Sequence, residues 1–171
     1  YQWNRRKGWP GEKPGADWDE SFYTAASWEK ENDPCPVGWR VPSIEEMRTL
    51  LDVSRVGYIK TQLNGVTGIA FTNKSSGSSL FFPHAGSIDS HSGNGNRWHG
   101  YYWSNTPNTI VTQNSVWCLD LIETPGVTGI FQNIFGFSVR CVADVDVPRC
   151  DDIITDTFLT IGTNDLPYEW C

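Results

Sequence analysis

The chain has 171 residues and a mass of 19.3 kDa, enough for one domain with the beginning of a second, and for a core that needs no metal. Nine Trp, sixteen Gly and a single Met, with 13% aromatic against 19% charged residues, point to a β- and loop-rich fold packed by rigid rings. A formal net charge of −7 repels phosphate backbones and disfavours nucleic acid as a partner, and no apolar stretch approaches the ~20 residues that span a bilayer.

The opening YQWNRRKGWPGEKPGADW lacks the apolar centre of a signal peptide, and a chain that starts at Tyr1 reads as a mature product or an excised segment. Residues 1–33 are rich in Trp, Pro and Gly without a sustained period. Trp3, Trp9, Trp18 and Trp28 are therefore expected to pack as an irregular layer over the core, with a short helical turn between Thr24 and Lys30. The clearest helix begins at Ser43. Ser43-Ile44-Glu45-Glu46 is a capping box, in which the serine oxygen takes a free backbone N–H and the glutamate reaches back to the cap. Pro42 stops propagation backwards, and Ile44, Met47, Leu50 and Leu51 recur on one face, so the helix is predicted to run to near Val53.

Short aromatic or β-branched runs follow, bounded by Gly, Asn, Ser and Pro, and predict strands over 69–72, 80–82, 101–103, 115–121, 127–131 and 137–142. Val116, Cys118 and Asp120 alternate with Trp117, Leu119 and Leu121, which predicts a half-buried strand, and Phe137, Val139 and Cys141 alternate similarly. Residues 87–100 and 104–114 read as long polar loops, of the kind that carry function in compact domains. The domain is expected to occupy 1–147. The remainder, 148–171, with a strand-like 157–161 and the string NDLPYEW, reads as the start of a further β-rich module that adds an edge strand.

Cys35, Cys118, Cys141, Cys150 and Cys171 contain no C-x-x-C pair and no zinc spacing, so disulfides are the expected state. The expected pairing is Cys35–Cys141 and Cys150–Cys171, with Cys118 reduced and buried in a strand; five free thiols in a cytosolic protein are the alternative. The first bridge would close a loop of about a hundred residues, worth roughly 4–5 kcal/mol in the chain-entropy model.

Three strings, DPCPVGWRVPSIEEMRTLL at 33–51, GYYWSNTP at 100–107 and FGFSVRCV at 135–142, resemble in that order the Fibrobacter succinogenes major paralogous domain. That family occurs in secreted and surface proteins of Bacteroidetes and related bacteria, and the resemblance spans 1–142. The family is in turn similar to the C-type-lectin-like fold shared with formylglycine-generating enzymes. The resemblance therefore implies an α+β domain, with one or two helices packed on twisted antiparallel sheets and long loops crowning one end. It also implies that the helix from Ser43 packs against the last strand, and it matches the first-to-last link at Cys35 and Cys141. Some domains of this type are variable proteins of diversity-generating retroelements, whose adenine-directed mutagenesis scatters substitutions at Asn-codon positions. The richness of 84–142 in Asn, Ser, Thr, His and Tyr fits that device, and fits equally a surface adhesin loop under ordinary drift.

Enzymatic relatives of this fold use a cysteine pair that holds copper or a histidine cluster that holds iron. Here Cys141 falls at the structural bridge, and His84, His91 and His99 make no ligand pattern on one element, so they read as ordinary loop residues and no catalysis is expected. Calcium, used by true C-type lectins, would find oxygen at Asp89, Asn94 and Asn96. A tight site needs more carboxylates, so a solvated Gly/Asn loop is the simpler account and no cofactor is expected.

Contact chemistry remains. Trp98, Tyr101, Tyr102, Trp103 and Trp117 bracket the polar loops, and rigid aromatics beside adaptable Asn, Ser and Gly are the composition of antibody paratopes. Tyr102 and Trp103 alternate in a strand and read equally as core, as do Trp28 and Trp39. The expected contact face is Trp98, His99, Tyr101, Asn105, Asn108, Asn114 and Trp117, rimmed by Asn94, Asn96 and Gln132. Taken together, the chain reads as a non-enzymatic, adhesin-like recognition domain of a secreted or cell-surface bacterial protein. Its partner would be a glycan or protein on a host or microbial surface, bound through 87–132. The alternative is a purely structural module of a large multidomain surface protein.

Overall fold

The computed structural model describes residues 1–8, 18–19, 21–22, 25–88, 98–110, 114–122 and 126–144. These residues form β1 (Trp39–Arg40), α1 (Ile44–Thr49), β2 (Val56–Leu63), β3 (Val66–Asn73), β4 (Ser79–Pro83), β5 (Gly100–Asn108), β6 (Ser115–Leu121), β7 (Val127–Gln132) and β8 (Val142–Ala143). The strands make three small antiparallel sheets, ordered β1-β8, β2-β3-β4 and β5-β6-β7. With one six-residue α-helix and a single 3-10 turn at Lys30–Asn32 among the described residues, the architecture is mainly β. The α+β class expected from the resemblance is corrected to that extent.

The capping box forms as read: the Glu46 N–H donates to Ser43 Oγ at 3.2 Å, and the Ser43 N–H donates to Glu46 Oε2 at 2.7 Å. The helix stops earlier than the apolar face suggests. The N–H groups of Leu50 and Leu51 bond three residues back, and Asp52 then redirects the chain. Its carbonyl takes the N–H of Arg55 and Val56, and its carboxylate takes the N–H of Ser54 at 3.0 Å. Ile44, Met47 and Leu50 pack chiefly on β5 and β6, where the resemblance implied the last strand.

Glu46 has a second task. Both of its carboxylate oxygens receive the Arg40 guanidinium, at 2.6 and 2.8 Å, and Arg40 also lies 3.8 Å from Asp144. The fork ties β1, α1 and the chain after β8 together. Burial by itself would lift the Glu46 carboxyl, but the bonds from Arg40 and from the Ser43 N–H outweigh it and hold the group below its ordinary value. A depressed carboxylate contributes stability that is complete above its unfolded value and is lost as pH falls through its folded value. Glu46→Gln should therefore cost about 2 kcal/mol at neutral pH. In urea titrations the two proteins' midpoints should converge in acid; a gap that persists there would assign the loss to packing.

Beyond the helix, β2 is a strand the periodicity did not predict, because polar Lys60, Thr61 and Gln62 interrupt its pattern. The signal for it was Asn64-Gly65, whose φ values of 51° and 81° make the tight turn that joins β2 to β3. The predicted strands at 69–72, 80–82, 115–121 and 127–131 appear as β3, β4, β6 and β7. The one at 101–103 continues as β5 to Asn108 past a bulge between Trp103 and Pro107, so the expected loop at 104–114 is strand for its first part.

The strand expected over 137–142 does not form. That segment changes partner every residue or two: Gly136 bridges Gln2 and Ile88, Phe137 donates to the Tyr1 carbonyl, and Ser138 donates to the Tyr101 carbonyl and accepts from the Trp103 N–H. Only Val142–Ala143 joins a sheet. Gly136 is required there, since a Cβ would fall 2.8 Å from the Trp18 ring.

Strand β6 is buried on both faces, not half-buried, because it is the central strand between two cores. Val116 and Cys118 meet Trp3, Tyr101, Trp103 and Phe137, whereas Leu119 and Leu121 meet the helix, Phe71, Phe82 and Tyr102. Trp3, Trp18 and Trp28 form the expected buried layer, with Trp3 edge-on to Trp28 at 5.9 Å. Trp9 lies outside the described residues, and the turn expected at 24–30 falls later, at Lys30–Asn32. Cys35 and Cys141 are joined by a disulfide across 106 positions, with their Cα atoms 5.9 Å apart. Cys118 is reduced and buried, and burial pushes its thiol well above the usual range. The tail 148–171, with Cys150 and Cys171, lies outside the described residues.

Candidate functional site

Strand pairing divides the expected contact residues between two ends of one sheet. Gly100 pairs with Leu121 at one end of β5 and Asn108 with Ser115 at the other, about 25 Å away by the rise of a strand. Trp98 and His99 lie beyond the first end. Asn105, Asn108, Asn114 and Gln132 cluster toward the second, where Ser115 also pairs with Gln132.

Burial divides them again. Tyr101 is 8% exposed; its ring stacks on Phe137 at 4.9 Å, stands edge-on to Phe131 at 5.4 Å, and its hydroxyl meets His99 Nδ1 at 3.0 Å. Asn108 is 2% exposed and its Oδ1 takes the Ile110 N–H at 2.8 Å, which shapes the turn after β5. Both are structural, because they face the core or the backbone and not solvent. Trp117 is half-buried against the helical core, with the Arg48 guanidinium 5.1 Å above its ring. Asn105 is half-buried, its N–H bound to the Pro42 carbonyl at 2.7 Å, and the carbonyl of half-buried Asn114 takes the Asn133 N–H at 3.0 Å. Gln132 is exposed, and Tyr102 and Trp103 are core. Asn94 and Asn96, with Asp89 and His91, lie outside the described residues.

Trp98, in contrast, is 83% exposed. It stands with His99 on an open groove of about 890 Å³ whose other walls the sequence did not reveal. One wall is the underside of the β2–β3 hairpin. Along β2 the even positions carry Val56 into the core, then Lys60 and Gln62 past its edge, opposite Thr67 of β3. His84, just after β4, and Ile122, just after β6, complete the described lining. The His84 N–H is anchored on the Thr67 carbonyl at 2.8 Å, and its ring bonds the Trp98 backbone.

The groove's electrostatics follow from these neighbours. Burial, then the nearby Lys60 ammonium, hold the His84 imidazole below its ordinary value; the bond to the Trp98 backbone pulls the other way, and His99 adds a smaller lowering effect. His84 Nε2 is buried and has no hydrogen-bond partner. Asp120 lies within the field of His99, its carboxyl raised by burial and tempered by that imidazole. Among the described residues, no three His, Cys, Asp or Glu side chains gather as a metal site would require.

Residues 3–143 match the Fibrobacter succinogenes major domain. The chain belongs to that family. The match runs from Trp3 in the buried layer to Ala143 in β8, so this major domain contains both cores, the disulfide and the groove. No curated protein matches the chain. No solved structure matches it either. In this major domain the three motif strings build the disulfide turn, the capped helix, β5 and the chain leading into β8, whereas the groove's lining comes from segments between them.

Proposed function

We propose that this major domain is a non-enzymatic recognition module of a secreted or surface-anchored protein, and that it binds a glycan or protein of a host or microbial surface. The contact site is the groove beside Trp98, not the whole of 87–132. One observation carries the reading: an indole 83% exposed on a groove whose lining includes the polar residues Thr61, Gln62 and Thr67. Eight other tryptophans are available to the chain, and those at 3, 18, 28 and 103 are buried, so the largely exposed face of Trp98 is a contact surface of the kind hot spots use. A flat aromatic face beside polar side chains suits a sugar ring or a rigid loop.

The disulfide supports an oxidising compartment. A C-type-lectin-like arrangement is supported by the Cys35–Cys141 link and by the bridge from Gln2 to Gly136, which bring early and late segments together. Membership among retroelement-diversified proteins rests on the composition of 84–142.

A glycan and cell-surface array tests the proposal. Trp98→Ala should lose at least about tenfold in affinity with an unchanged melting temperature, since one buried aromatic contact is worth more than ~1.4 kcal/mol. Gln132→Ala, at the far end of the sheet, should bind as the wild type does. A Trp98→Ala protein that binds normally removes the groove from the function.

The second reading, a structural module, is favoured by the outer face of β2, where Ile59 and Leu63 are exposed on the side away from Lys60 and Gln62. Such a face suits packing against a neighbouring domain.

A further inference from the structure

We infer that the groove takes an anionic saccharide, whose ring lies on Trp98 and whose carboxylate is met by Lys60, with the His84 imidazole adding charge behind it. The inference rests on the recognition reading above and narrows its ligand.

The chain carries a net charge of −7, yet the groove's described lining contains Lys60, His84 and His99 and neither Asp nor Glu. In so acidic a protein, a described lining with three basic side chains and no carboxylate attracts anions against the overall field. Lys60 is exposed on β2 and makes no ion pair among the described residues, so its ammonium is available to a ligand. His99 is less available, because Asp120 and the Tyr101 hydroxyl attend it from the sheet. Lys60 and His84 are therefore the charges that matter.

His84 supplies the second observation. Its backbone is held by Thr67 and its ring by the Trp98 backbone, and Nε2 is buried and unpaired in a residue that lines the groove. A neutral imidazole there has an unused acceptor. When it gains a proton it adds a fixed positive charge near that of Lys60, and a carboxylate in the groove compensates the charge of both. The charged and titratable groups around it are Lys60 from β2 and His99 from the chain before β5, both of which disfavour its protonation while the groove is empty. A bound anion reverses that balance, so binding takes up a proton and strengthens toward acid. A neutral sugar could stack on Trp98 but would leave this pair unused. An acidic peptide would satisfy the charges, but Thr61, Gln62 and Thr67 around an exposed indole suit the hydroxyl-rich rim and flat apolar face of a sugar ring better.

The test is an array of neutral, carboxylated and sulfated oligosaccharides with polyglutamate peptide included. Titration calorimetry then compares an oligogalacturonide and a sialoside with their carboxyl methyl esters. The expected result is that the free acids bind about tenfold tighter than the esters, the scale of one charge-assisted contact. Lys60→Met should remove most of that difference while circular dichroism stays unchanged, and His84→Gln should abolish the strengthening toward acid. Equal binding of acids and esters, a harmless Lys60→Met, or a preference for polyglutamate or for sulfated chains overturns the inference. Neutral saccharides that bind through Trp98 overturn only this inference and leave the recognition reading standing. An array blank for saccharides and cell surfaces overturns both.

Discussion

Serine at both Cys35 and Cys141 should lower the unfolding free energy by about 2–5 kcal/mol, read as a fall in the urea midpoint. The bridge spans 106 positions, so reduction restores a large loop's worth of freedom to the unfolded chain. The native state also depends on it locally. It sits beside the β1–β8 pair, which consists of only Trp39↔Ala143 and Arg40↔Val142, and a ladder that short is marginal by itself. Without the bridge, the Arg40 fork to Glu46 and Asp144 becomes the main tie between the start of the helix and the end of the domain. Against a typical total of about 5–15 kcal/mol, the loss is a large fraction. Reductant on the wild-type protein should reproduce it. A midpoint that does not move would show that backbone pairing around Gly136 closes the domain without the sulfurs.

Trp103→Ala should cost about 3–5 kcal/mol, the usual scale for removing a buried tryptophan. Trp103 is 0% exposed; its ring stacks on Phe137 at 4.1 Å and its Nε1 donates to the Tyr1 carbonyl at 3.1 Å. Beside it Trp3 donates to the Ser104 carbonyl at 2.9 Å, so the N-terminal segment is docked on β5 by two indoles. Truncation of Trp103 opens a cavity in that interface and should also loosen the first residues, which proteolysis near the N-terminus would report. Trp98→Ala is the internal comparison: five positions away, it should change stability by no more than about 0.5 kcal/mol. Equal effects at the two positions would mean that Trp98 is packed in solution and would remove the case for the groove.

What was legible in the chain was local. The Ser43–Glu46 box needs only four consecutive residues, and it forms. The alternation in 115–121 names a strand because side chains alternate whatever the partner is. The Asn64-Gly65 turn was equally local and announced β2, but the polar run Lys60 to Gln62 hid it; those same side chains are polar because the hairpin overhangs the core and faces the groove. The misreadings concern neighbours. The helix ends at Thr49 because Asp52 captures the following N–H groups, and 137–142 fails as a strand because Phe137 bonds Tyr1 whereas Ser138 bonds Tyr101 and Trp103, far from Tyr1 in the chain.

The site shows the same division. Trp98 and His99 could be chosen as rigid or polar contacts in a Gly- and Asn-rich stretch. Tyr101 could not be told from them, since only the Phe131 and Phe137 rings across the sheet bury it. His84 looked like an ordinary loop histidine until Lys60 and Trp98 were found beside it.

By itself, then, the sequence determined where the helix starts, that 69–72, 80–82, 115–121 and 127–131 are strands, and which family the motifs belong to, with the Cys35–Cys141 link that the family resemblance implies, because caps, alternation and motif strings are written in short contiguous stretches. The tertiary structure alone decided that β6 is buried on both faces, that the expected contact residues lie at two ends of one sheet, and that Lys60, Thr67, His84 and Trp98 share a groove. Those facts depend on strand register and on non-local packing, and no short stretch of chain contains its own neighbours.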